Sequence, residues 1–381
     1  MNIIHITRNI PVKRLKGNRV ILDIIHNINK LGISQKIIFP AEYVPKLPFL
    51  KERAIIFSEL NGMLNINGTE LIFYKYIRLF FRFDFIISKF CLNKQKVNAF
   101  SSSADIFHAH YILPDGYIAN KLARDHKKPY LVSVRQGDID RIKKLKKDSF
   151  YDTLYKNVLV EATQVISINH SIRKYLAERY NIYSKTIPHG IDQKLFSPLP
   201  VNKKLDSSIK LVSCSQLIKR KNIDWIIDVF NKVSTDKNNI KLTIIGDGPL
   251  INKFKHISNS QITFTGELDH KSVLSIFEES DIFILPSENE TFGMVYLEAA
   301  AKQCMLIGLK GTGIDGYFED KENACFVRSK HELLSLIRNI IEGDLNYQEI
   351  ALKGYRKTQT EYTWKTIMDK YQTLYMGTNE N

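Results

Sequence analysis

The chain has 381 residues, 44% of them hydrophobic, which is more than one hydrophobic core usually absorbs and predicts two folded domains. Its formal net charge of +15 calls for an anionic partner: a phosphate-bearing substrate, an acidic membrane face or nucleic acid. Four cysteines without CxxC spacing argue against a disulfide framework or a zinc ribbon and suit a reducing compartment.

In chain order, short β-rich runs alternate with amphipathic helical stretches. Strands are expected at 2–7, 35–39, 105–110, 130–135, 164–168 and 185–189, then at 209–214, 240–246, 261–266, 281–287, 304–309 and 323–327. The opening MNIIHITRNIPVKRLKG has too short an apolar run before Arg8 for a signal peptide. Gly17 and Asn18 precede a strong helical pattern, as a helix cap or as a close-approach loop.

Residues 71–90, LIFYKYIRLFFRFDFIISKF, read as a basic amphipathic helix, with Lys75, Arg78, Arg82 and Lys89 on one face. Such a helix suits an anionic membrane interface; a core helix with a solvated cationic edge is the bland alternative. RIKKLKK at 141–147 adds a second basic cluster. No stretch of about 18 uncharged apolar residues occurs, so no spanning helix is expected.

His108 and His110 alternate on a strand and share a face. As a metal pair they need further ligands, and no third stands nearby in sequence, so no metal is expected. His110 reads either as a site residue at the strand exit or as a hydrogen-bonded support for the following loop. Past the next strand come Arg135, Gln136, Gly137 and Asp138. Arg135 suits an anionic acceptor or donor and Asp138 suits proton acceptance from a hydroxyl; a buried structural pair of the two is the competing reading.

A break is expected at 188–200, where Gly190, Pro188, Pro198 and Pro200 interrupt the rhythm. Beyond it, Lys219, Arg220 and Lys221 leave the strand IKLVSC, GDGPL (246–250) and FTGEL (264–268) close the next two, and KGTGIDGYFED (310–320) follows CMLIGL. In SENETFGMVYLEAA (287–300), Glu290 falls in a loop and Glu298 two turns into a helix. The N–H groups near Phe292, Gly293 and Met294 lie at that helix's start, where unpaired donors favour a phosphate.

Alternating strands and helices predict α/β domains with parallel sheets, two Rossmann-like units whose ligands bind beyond the strands' carboxyl ends. The expected boundaries are 1–190, 191–362 and a terminal helix at 363–381 that packs back on the first domain.

The pair Glu290/Glu298 around ETFG, with LIKRKNID, IIGDGPL, FTGEL, GTGIDG, IPHGID (187–192) and HAHYILPDGYIA (108–119), resembles the family-4 retaining glycosyltransferases of the GT-B fold. The resemblance implies a two-domain enzyme with an acceptor-binding first half and a nucleotide-sugar-binding second half. It implies that Lys221 binds the donor diphosphate with Phe292, Gly293 and Met294, beside Thr291, that Glu290 holds the donor sugar, and that Glu298 holds the ribose. Gly246, Gly248 and Leu268 belong to the same implied donor pocket. The family's Gly-Arg-Leu is Ser215-Gln216-Leu217 here, so Gln216 replaces a phosphate-binding arginine, and Lys219 or Arg220 is the substitute. The Gly-Gly loop of relatives is reduced to Gly17, and their His-Gly is replaced at 135–138.

The implied donor is a UDP- or GDP-sugar and the acceptor a glycan or lipid-linked oligosaccharide in surface-polysaccharide synthesis. No cofactor is expected, and the place of work is the inner face of the cytoplasmic membrane. Without a DxD-like cluster, the protein's own cations are expected to neutralise the departing diphosphate. Two rivals stand beside this reading: an epimerase of the same fold, and a nucleic-acid-binding protein. The second lacks any helix-turn-helix, RNP or zinc-finger signature, so no nucleic acid is expected.

Overall fold

The computed structural model describes residues 1–15, 17, 19–43, 59–77, 91–198, 208–234, 239–288, 290 and 292–379. The chain divides into two units, one of Met1–Ile168, Ile172–Ile187 and Met368–Asn381, the other of Asn169–Ser171 and Pro188–Ile367.

The first unit is built on an eight-stranded sheet: β1 (Asn2–Ile6), β2 (Ser34–Tyr43), β3 (Met63–Ile66), β4 (Thr69–Ile77), β5 (Ile106–Ala109), β6 (Tyr130–Val134), β7 (Gln164–Ser167) and β8 (Lys185–Thr186). Their spatial order is β3-β4-β2-β1-β5-β6-β7-β8, and only β3 runs antiparallel to its neighbour. Alternate residues of β4 go to opposite faces: Leu71 and Phe73 join one core cluster, Ile72, Tyr74 and Tyr76 another. A sheet covered on both sides needs apolar side chains on both faces, and the run Leu71, Ile72, Phe73, Tyr74 in β4 supplies them.

That finding corrects one expectation. Residues 71–77 are strand rather than amphipathic helix, and Lys75 lies within it. A continuous apolar run carries no periodicity that separates a doubly buried strand from a buried helix. The residues after 77 in that expected helix lie outside the described residues, with Arg78, Arg82 and Lys89 among them. A hairpin turn through Asn67 (φ 50°) and Gly68 (φ 85°) joins β3 to β4; Asn-Gly is the preferred pair where both central residues need positive φ.

The second unit holds six parallel strands in the order β11-β10-β9-β12-β13-β14. They are β9 (Ile209–Cys214), β10 (Ile240–Ile245), β11 (Ile262–Gly266), β12 (Ile282–Leu285), β13 (Met305–Leu309) and β14 (Cys325–Val327). The order reverses beside β9, where β10 lies on one side and β12 on the other. Loops leaving β9 and β12 therefore start as neighbours at the place where open α/β sheets take ligands. The helix Ile223–Val233 after β9 buries Ile223, Ile226, Ile227, Phe230 and Val233, a spacing of three and four that fastens it to the sheet.

The last helix, Trp364–Asn379, crosses from one unit's residues to the other's. Its residues Tyr371 and Tyr375 are fully buried in the first unit.

Candidate active site

In the second unit, Lys219–Lys221 form a single 3-10 turn closed by Asn222 in the left-handed conformation. The Asn222 side-chain amide donates to the Pro286 carbonyl at 3.0 Å, and the Glu288 N–H donates to the Arg220 carbonyl at 2.8 Å. These bonds tie the loop after β9 to the loop after β12. Across them, Lys221 forms an ion pair with Glu290, their side chains only 10% and 14% exposed. A third loop joins in, since the Gly313 N–H donates to the Glu290 carbonyl at 3.1 Å.

Glu290 thus sits where three strand-end loops meet. Its charge also reaches Tyr296, whose phenol is pushed far above its ordinary value by burial first and by Glu290 second.

The turn after Glu290 is shaped by Gly293, at φ +76°. A side chain there would sit 2.6 Å from the Tyr296 ring, so the close turn excludes any other residue. Gly293 is the N-cap of the helix Met294–Ala301, and Glu298 lies in that helix's second turn. Phe292 is fully buried, edge-on to Tyr317 at 5.1 Å, so its side chain anchors the turn and only its backbone is available to a ligand. Thr291 lies outside the described residues.

Glu298 Oε1 lies 3.0 Å from Nε2 of His270, an exposed residue that sequence reading did not single out. Cys214, at the end of β9, has its thiol pushed up to about 12, chiefly by burial, then by the charge of Glu298, against the opposing charge of Lys221.

The remaining second-unit candidates divide. Gln216 and Arg220 are exposed, and Met294 is half-buried at the helix start. Gly246 and Gly248 are held by the chain itself: a Cβ on Gly246 would lie 2.0 Å from the Ser215 carbonyl oxygen, and one on Gly248 2.6 Å from that of Leu217. Leu268 is half-buried against the core.

In the first unit, Gly17 backs onto the Ile10 carbonyl, where a Cβ would lie 2.1 Å from the carbon. His110 is fully buried. Its Nε2 lies 3.0 Å from Nδ1 of His5, whose Nε2 in turn lies 2.7 Å from Gln35 Oε1. His108 places Nδ1 2.7 Å from the Tyr375 hydroxyl and Nε2 2.8 Å from the Ser133 hydroxyl. Sequence spacing shows no third histidine, but β1 pairs with β5 so that His5 faces His108 directly.

One ligand atom from each of the three rings lies within 4.8 Å of the others, a geometry that could hold a metal ion. Hydrogen bonds engage both ring nitrogens of His5 and of His108, and Nε2 of His110. Burial also keeps two of the rings neutral: His5 is lowered to about 4, and His108 well below its ordinary value.

Arg135 is 3% exposed; its Nε donates to the His110 carbonyl at 3.2 Å, and its guanidinium lies 5.7 Å over the Tyr111 ring. Asp138 is fully buried and accepts the backbone N–H groups of Ile112 at 3.2 Å and Arg135 at 3.1 Å. Burial pushes the Asp138 carboxyl up to about 7. Its bond to Arg135 thus runs through the main chain.

Residues 17–195 match the family model described as Glycosyltransferase Family 4, and residues 199–357 the model described as Glycosyl transferases group 1. The chain is 24% identical over 299 residues to the alpha-monoglucosyldiacylglycerol synthase of Streptococcus pneumoniae, covering 72% of this chain and 68% of that one. Among solved structures, the sucrose-phosphate synthase of Thermosynechococcus elongatus superposes with a TM-score of 0.71 at 16% identity, over 99% of this chain and 98% of that one. Anabaena HepE in complex with UDP-glucose gives 0.66 at 14% identity, over 98% and 99%. These superpositions give the fold as GT-B. With both family models matched in succession along it, the chain belongs to the family-4 and group-1 glycosyltransferases and is an enzyme of sugar transfer.

Proposed function

We propose that the enzyme moves a sugar, with retention of anomeric configuration, from a UDP- or GDP-sugar to a hydroxyl of a glycan or lipid-linked oligosaccharide during cell-surface polysaccharide synthesis. The observation that carries this is the Lys221–Glu290 ion pair at the meeting of three strand-end loops, one turn ahead of a helix N-terminus. In this reading the donor's diphosphate lies against Lys221 and the main-chain N–H groups at Phe292–Met294. Arg220 and Lys219 add charge from the exposed side of the same turn.

Negative charge growing on the departing diphosphate is the main barrier, and fixed cations and N–H dipoles in a half-buried setting lower it without reorganising. Arrival of the diphosphate draws Lys221 away from Glu290 and leaves that carboxylate to accept sugar hydroxyls. Glu298 accepts the ribose hydroxyls in the same way. The acceptor attacks on the face the diphosphate leaves, and a phosphate oxygen takes the proton, so the chain need supply no base. Arg135 and Asp138 then act as scaffold.

The UDP-glucose named for HepE supports a UDP donor. The glucosylated diacylglycerol named for the pneumococcal relative supports a lipid-borne acceptor, and so a place at an anionic membrane. Lys143, Lys144, Lys146 and Lys147 are all exposed next to Phe150, itself 61% exposed, a composition that suits such a surface. Among the described residues no helix is long and apolar enough to cross a membrane.

A thermal-shift series with UDP-, GDP- and ADP-sugars tests the reading. One of the first two should raise the melting temperature in proportion to the logarithm of its concentration. No shift with any of them would refute it.

A further inference from the structure

Tyr296 lies in the first turn of the helix Met294–Ala301, and the donor chemistry leaves it unused. It is buried, and its hydroxyl donates to the Leu285 carbonyl at the end of β12. Its ring stands edge-on to that of Phe283 in the same strand, with centroids 5.2 Å apart. Its main-chain N–H donates to the Gly293 carbonyl at 2.9 Å. The ring is thus pinned to the sheet at its far end and to the site's turn at its near end.

Glycines meet that ring from two loops and a strand. A Cβ on Gly293 would lie 2.6 Å from ring carbon Cδ2 and 2.8 Å from Cε2. One on Gly313, in the loop after β13, would lie 3.6 Å from Cε2, and one on Gly308, within β13, 3.5 Å from the hydroxyl. Glu290 meets the first two as well. A Cβ on Gly293 would lie 3.3 Å from its Cγ, and one on Gly313 3.4 Å from both its Cβ and its Cγ. The Tyr296 ring and the aliphatic stem of Glu290 therefore share the space that the same two glycines leave open. In so close-packed a group, a change in the ring's width is passed on to the stem.

Lys221 holds the Glu290 carboxylate through their ion pair. Once a diphosphate draws that lysine away, the aim of the carboxylate falls to the packing around its stem. We propose that Tyr296 is a positioning residue for the sugar half of the donor: its ring sets the gap between the Gly293 and Gly313 backbones in which the Glu290 stem lies, and its hydroxyl fixes that gap to β12. This rests on the reading that Glu290 holds the donor sugar. A displacement of about 1 Å is enough to spoil such a contact.

The test is isothermal titration of the full chain, well below each variant's melting temperature. The probes are UDP with UDP-glucose, UDP-galactose and UDP-N-acetylglucosamine, and GDP with GDP-mannose. The quantity read is the affinity for a sugar nucleotide relative to its parent diphosphate, for the pair with the highest ratio in wild type. Tyr296→Met fills the volume with a flexible chain and should lower that ratio about tenfold, while the parent diphosphate binds within about threefold of wild type. Tyr296→Phe keeps the ring and loses only its anchor; it should lower the ratio about threefold and serves if the methionine variant does not fold. Glu290→Gln should lower the ratio at least as far as Tyr296→Met.

Equal weakening of diphosphate and sugar nucleotide, or an unmoved ratio in the tyrosine variants where Glu290→Gln moves it, overturns the proposal and leaves the donor reading standing. An unmoved ratio in Glu290→Gln removes Glu290 from the donor sugar, and the proposal falls with that reading.

Discussion

Polar side chains just past β9 and β12 in the second unit end in an ion pair that keeps some exposure, Lys221 with Glu290, and in Glu298 beside an exposed histidine. Past β5 and β6 in the first unit stand His110, Arg135 and Asp138, whose exposures fall to 0%, 3% and 0%. There the polar atoms go to backbone carbonyls, backbone N–H groups and each other. The same sheet geometry thus serves two ends. Where strand-end loops hold one another through main-chain bonds and Asn222, the charged side chains stay available to a ligand; where the charged side chains hold the loops, they are consumed.

The largest expected effect sharpens that contrast. Lys221→Ala should lower the transfer rate about 10²–10³-fold, the usual scale for one preorganised donor to developing charge. The variant also leaves the mostly buried Glu290 without its cation, so initial rates are read well below the melting temperature of each protein; near-normal transfer would break the comparison on the second unit's side.

Next comes Gly246→Ala, which places a methyl 2.0 Å from the Ser215 carbonyl oxygen at φ +121°. It should destabilise by roughly 1–3 kcal/mol in denaturant melts, with donor KM changing less than stability. A selective loss of donor binding would show that this glycine serves the ligand directly.

Asp138→Asn probes the other side. The folded carboxyl is raised to about 7 while the unfolded one titrates near 3.9, so wild type loses stability as pH climbs from about 4 to about 7 and the group ionises in place. The variant lacks that loss, so its melting temperature should gain on wild type across this window, and its transfer rate should stay within about tenfold. A collapse in kcat with normal stability would make Asp138 a proton acceptor after all.

The smallest effect is expected for His5→Gln. His5 is neutral in the fold with its pKa lowered to about 4, so its stability contribution is full above about 6.5 and fades as pH falls from there through about 4. The variant should flatten that acid limb by roughly 1–2 kcal/mol in melts taken across those pH values. An unchanged limb would mean that His5 is not held neutral by burial.

Much of the architecture was legible beforehand, for a physical reason. Each of the twelve expected strands coincides with an observed one, because parallel strands buried on both faces leave dense β-branched runs bounded by turns. The β3–β4 hairpin was not read, although Asn67-Gly68 is a strong turn signal. Its second strand is apolar on both faces and imitates a helix, and its lysine strengthened the imitation.

In the candidate site, glycines and charges at strand ends were readable one loop at a time. Their pairing was not: Lys221 and Glu290 are 69 positions apart, and only the strand order brings them together. His5 escaped for the same reason, since register between neighbouring strands supplies what local spacing lacks.

The hydroxyl of Tyr375 meets His108 in the interior of the first unit, and 180 residues, Pro188–Ile367, are inserted before that closing segment. During synthesis the earlier unit therefore emerges long before the tyrosines that complete its interior. It must wait, partly assembled, while the later unit forms, and a nascent chain halted before residue 368 should bind chaperones that the full chain releases.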